Sequence, residues 1–114
     1  MTHVRKYMKA MAVNIIAFPV LGLAVPASAA ELTAANMLQQ MNEQDQYHYI
    51  AGVVAGLGTA RFVRDGNDVG SACIDKWFYD TAGTRETIAK AFARFGDKSP
   101  AAILYALSAK ECGK

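Results

Sequence analysis

Only two cysteines occur in the 114 residues, Cys73 and Cys112, with the second almost at the end of the chain. Cysteine usage is read through compartment, because disulfides persist where the surroundings are oxidising. The first thirty residues speak to that. Arg5, Lys6 and Lys9 make a basic start, Ala10 to Val25 reads AMAVNIIAFPVLGLAV, and Ala27-Ser28-Ala29 supplies small residues at the spacing of a cleavage site. This is the pattern of a secretory signal peptide over residues 1–29. The alternative is a retained anchor, but the apolar run is short for a span of about 20 residues, and Asn14 and Pro19 interrupt it. The exported chain is expected to begin at Ala30 or Glu31. A single disulfide between Cys73 and Cys112 within one chain is then expected. A bond between two chains is the competing arrangement. Closing a loop of about 40 residues stabilises by roughly 3–4 kcal/mol in the chain-entropy model, a large contribution for a domain of this size.

Cleavage also changes the charge. The whole chain carries 12 Lys plus Arg against 10 Asp plus Glu. The leader takes away three basic residues and no acidic one, leaving nine against ten. Phosphate recognition needs clustered Lys and Arg, so nucleic acid is excluded as an expected partner.

Helical signals dominate the exported part. Thr33 is placed to cap a first helix carrying Met37, Leu38 and Met41 and ending near Asn42. Asp45 is placed to cap a second from Gln46 to about Val63, with Tyr47, Ile50, Ala51, Val54, Leu57 and Ala60 as its buried stripe. Arg64 to Asp68, RDGND, is turn chemistry. In residues 69–83, Ile74, Trp77 and Phe78 share a face if the segment is helical. Thr84 caps another helix with Ile88, Ala91, Phe92 and Phe95 inward and Gly96 as C-cap. Ser99-Pro100 starts the last helix, with Ile103, Leu104 and Leu107 inward. Strand alternation is nowhere sustained. The expected fold is all-α, a small bundle of four or five short helices occupying residues 30–114 as one domain.

Three glycines interrupt the second helix, and each costs roughly 1 kcal/mol against alanine in a helix interior. The apolar stretch Tyr49 to Ala60 is too short to cross a bilayer and is bounded by Asp45 and Arg61. No membrane contact is expected once the leader is gone. Gly52 and Gly56, four apart, are expected to face a packed neighbour whose close approach offsets the cost.

Catalytic and metal chemistry find little support. His48 is the one histidine of the exported part, set between Tyr47 and Tyr49 with no nucleophile near it in sequence. One histidine and no cysteine pair at ligand spacing leave nothing for zinc. DGNDVG, Asp65 to Gly70, fails as a calcium loop because Val69 and Lys76 stand at ligand positions five and twelve. GVVAGLG lacks the lysine of a phosphate-binding loop. No cofactor is expected, and no enzymatic activity. What remains is surface. The polar segment Arg64 to Ser71, tethered before Cys73, reads as either a binding loop or a connector. As a binding loop it offers Arg64, Asp65, Asn67 and Asp68 as contacts.

YIAGVVAGL (Tyr49 to Leu57), a cysteine after a variable loop, a Thr-started helix ending in an aromatic, and SPAAILYALSAKEC together resemble the periplasmic Rap/Tai-type immunity proteins. These neutralise peptidoglycan amidase toxins delivered by type VI secretion systems. The likeness runs from about Leu32 to Cys112. It departs from the family pattern after Cys73, where Ile74-Asp75-Lys76-Trp77 lacks the usual proline. The resemblance implies a periplasmic inhibitor that plugs the cleft of a cell-wall amidase, with the glycine helix carried over to Gly52 and Gly56 and the disulfide to Cys73 and Cys112. It also implies a second copy of the chain as a partner. A different class, a small periplasmic stress or chaperone-like protein, is the alternative. Such proteins are rich in lysine and acidic residues, and this chain is 19% charged.

Overall fold

A computed structural model describes residues 31–114, which form one compact unit from Glu31 to Lys114. The expected signal peptide, residues 1–29, lies outside the described residues. Five helices succeed one another: α1 Ala34–Gln40, α2 Glu43–Asp65, α3 Val69–Tyr79, α4 Thr84–Arg94 and α5 Pro100–Cys112. Among the described residues there is no strand. The all-α expectation holds, and so does the staple: Cys73 and Cys112 are joined within one chain, 5.8 Å apart at Cα. No described helix is long and apolar enough to cross a membrane.

Each helix starts where the local chemistry lets its free N–H groups find acceptors. The Thr33 hydroxyl accepts from Asn36 N, and Ser99 accepts from Ala102 N with Pro100 opening α5. The second helix begins earlier than its sequence suggests. Asn42, not Asp45, is the cap, its amide oxygen accepting from Asp45 N at 2.8 Å. Glu43 and Asp45 then sit in the first turn, where negative charge complements the helix dipole. Thr84 is also not a cap. Gly83 takes that place in a left-handed conformation, while the Thr84 hydroxyl, buried, donates to Trp77 O and locks α4 onto the end of α3. Likewise α4 ends on Phe95, half out in solvent, rather than on a left-handed Gly96. The carbonyls of Gly96 and Lys98 instead receive Ala35 N and Ala34 N, pinning α1 across the α4–α5 turn.

The core draws on every helix. Ala34 and Met37, Val54, the Ile74-Trp77-Phe78 face, Ile88, Ala91 and Phe92, and Ile103 with Leu104 form one cluster. The long α2 lies mainly against α3 and α5. Tyr47 closes the bundle's end: its ring stacks on Phe78 with centroids 6.1 Å apart, and the Arg85 guanidinium lies 4.9 Å from the Tyr47 ring centre.

The packing expected at Gly52 and Gly56 is absent. Both are exposed, and a methyl group built on either would meet nothing within 4 Å. The reason is angular. Each lies two residues, or about 200° of helix, from the fully buried Val54. They therefore point away from the core that Val54 enters. Ala60 is exposed for the same kind of drift, and the inward edge runs instead through Val54, Gly58 and Arg61. Nothing in the fold of one chain requires glycine at 52 or 56. Gly52→Ala and Gly56→Ala are each expected to stabilise the protein by about 0.5–1 kcal/mol. Urea denaturation would read this as a raised midpoint. A lowered midpoint would mean that something outside the single chain packs on that face.

Candidate functional site

The segment expected to be a polar loop from Arg64 to Ser71 is mostly helix. Arg64 and Asp65 complete the last turn of α2, and α3 begins at Val69, leaving Gly66, Asn67 and Asp68 as the connection. Gly66 is what makes so short a link workable. With φ 70° it caps α2 in the left-handed conformation and donates to Phe62 O, a geometry most side chains resist. The result is a rigid helical corner rather than a flexible loop.

Of the four residues expected to make contacts there, the structure brings all four to this corner and commits two of them internally. Asp65 is gripped from both sides: Arg61 Nε lies 2.6 Å from its Oδ2 and Arg64 Nε 2.9 Å from its Oδ1. These hydrogen bonds, Arg61's first and then Arg64's, hold the Asp65 carboxyl below the usual carboxylate range. Asn67 is exposed but bonds to its own turn, its Oδ1 accepting from Val69 N and its amide donating to Asp65 O, which shapes the turn. Asp68 precedes α3 without a side-chain capping bond. Arg64 engages Asp65 through Nε alone among the described residues and stays half-exposed.

Arg61 organises the corner, although in the sequence it stands out only as a flank of the apolar run. Beyond Asp65, its Nη1 donates to Gly113 O at 2.7 Å and its Nη2 to Cys112 O at 3.3 Å. It therefore supplies donors to carbonyls that the end of α5 leaves without intrahelical partners. To do so it lies flat against Gly70: a Cβ there would come within 2.5 Å of Arg61 Nε. The disulfide ties the same end of α5 to the middle of α3. The corner also carries apolar groups that its polar sequence does not advertise. Phe62 is half-exposed, and Val63 and Val69 are each 74% exposed on either side of the turn.

His48 is exposed beside Tyr47, with ring centroids 5.9 Å apart. Among the described residues no three His, Cys, Asp or Glu side chains gather as a metal site. No known protein family, curated protein or solved structure matches the chain.

Proposed function

We propose that this is a periplasmic binding protein that neutralises a peptidoglycan-degrading amidase delivered by a type VI secretion system. The observation that carries it is the α2–α3 corner. It shows Phe62, Val63 and Val69 to solvent on a support fixed by the Cys73–Cys112 bond and by Arg61. Apolar side chains exposed on a rigid mount suit protein recognition, because little entropy is lost on docking. Arg64 and Asp68 add charged groups beside them. The disulfide agrees with an oxidising compartment, and the sequence resemblance supplies the class of partner.

The test is protection. Cells exporting the amidase encoded nearest to this gene are expected to lyse, and co-export of this protein to restore growth. Val63→Asp with Val69→Asp should abolish protection without lowering the melting temperature, since both side chains stand in water. No binding to the amidase, together with suppressed aggregation of an unfolded client protein, would instead favour the stress-protein class.

A further inference from the structure

A second feature lies where α2 and α5 run side by side. Leu57 and Ala60 of α2, the buried Ile74 of α3, and Tyr105 and Ala109 of α5 enclose a half-open cleft of about 120 Å³. An apolar cavity of roughly 150 Å³ accepts a benzene ring, so this smaller, half-open one has room for a single aliphatic side chain such as leucine. The surface is almost wholly apolar inside, and at the mouth Arg64 stands with Arg61 behind it.

The charges at the mouth are unequally committed. Arg61 is engaged through each of its three nitrogens, by Asp65 and by the carbonyls of Cys112 and Gly113. Asp65 has one oxygen on each arginine and does not line the cleft. Arg64 keeps both terminal nitrogens free of partners among the described residues. No acidic side chain lines the cleft. The complementary occupant is therefore an apolar body with a carboxylate next to it.

We infer that this cleft is a docking site for an acidic segment of a protein partner, one that inserts a single leucine while a neighbouring aspartate or glutamate meets Arg64. A protein segment fits better than a lipid, because the space ends after one side chain. Tyr105, half-exposed at the wall, and Arg64 are of the residue types that dominate binding energy at interfaces. The arginine fork can also take a carboxylate through two parallel hydrogen bonds. The inference rests on the reading that this protein binds another protein. It does not require that partner to be an amidase.

The experiment titrates the oxidised protein, expressed as the full chain and ¹⁵N-labelled, with three ten-residue peptides. One carries a leucine between two aspartates, one replaces the aspartates with lysines, and one replaces the leucine with alanine. The first peptide should give saturable shifts at the amides of Ala60, Tyr105 and Ala109. Either replacement should weaken binding at least tenfold. Ala109→Trp, which fills the cleft, and Arg64→Glu, which reverses its mouth, should each cause a similar loss while the disulfide and helical circular dichroism stay unchanged. No saturable shift with the first peptide would overturn the inference. Equal binding of the lysine peptide, or shifts confined to another face, would do the same. The amidase test is read by cell survival, so it can succeed or fail independently of this one.

Discussion

Converting Cys73 and Cys112 to serine is expected to lower stability by about 3–4 kcal/mol, the largest effect of any change that leaves the hydrophobic core intact. The bond closes a segment of 39 residues, and the entropy removed from the unfolded chain grows with the logarithm of that length. Small domains have only some 5–15 kcal/mol in all, and one of this size sits toward the lower end because it buries a smaller share of its surface. At about 4–8 °C per kcal/mol for domains of this length, the melting temperature should fall by roughly 12–32 °C. Thermal melts of the oxidised protein, the reduced protein and the double serine variant would measure it. The reduced protein and the variant should agree, because both lack the constraint. A drop of only a few degrees would mean that the reduced chain stays compact when unfolded.

Much of the architecture is legible from local chemistry. Thr33, Ser99-Pro100 and the Ile74-Trp77-Phe78 spacing are short-range signals. A cap needs only its own first turn, and a buried stripe needs only its period. Expectation and structure part where two local signals compete. Asn42 and Asp45 are both good caps, and Asn42 prevails because an acidic residue remains favourable inside the first turn but a lost turn of helix does not. Gly83-Thr84 goes the same way, with the threonine hydroxyl claimed by a carbonyl of the preceding helix. The glycines differ for another reason. A four-residue spacing shows that Gly52 and Gly56 share a face but not which face, and Val54, placed inward on the same helix, already determines that they point out.

The candidate site is less legible because its organising contacts are long-range. Asp65, Asn67 and Asp68 look in sequence like free polar groups of a loop. Nothing local reveals that Asp65 is held by two arginines or that Asn67 is spent on the turn. Arg61 bonds to carbonyls more than fifty residues away, a pairing no local pattern encodes. One clue is present. Arg61 is the only Lys, Arg, Asp or Glu between Asp45 and Arg64, and it falls four residues before Asp65 on the line that continues from Val54 through Leu57. A lone charge on a buried stripe needs a partner, and that requirement points to Asp65.

Arg61→Ala is accordingly expected to destabilise by about 1–2 kcal/mol. The ion pair contributes modestly, since Asp65 keeps Arg64 and is partly solvated. The larger loss is at α5, where the carbonyls of Cys112 and Gly113 give up a charged donor. Hydrogen bonds to charged groups are worth about 1.5–3 kcal/mol, and the low end of that range applies because the Gly113 bond is exposed to water that replaces it. Arg61→Lys should recover only part of it, because one ammonium cannot span the carboxylate and both carbonyls as the planar guanidinium does. Gly70→Ala gives an independent check. Its methyl group would occupy the space of Arg61 Nε, Cζ and Cγ, so it should displace a side chain whose far end is already fixed by three partners. The single variant should lose about 1–3 kcal/mol through that crowding. In the Arg61→Ala background the obstacle is gone, and Gly70→Ala should then be neutral or mildly stabilising, as alanine usually is within a helix. A double-mutant cycle by urea denaturation isolates the coupling. Simple addition of the two losses would mean that Gly70 serves the α2–α3 contact directly rather than making room for Arg61.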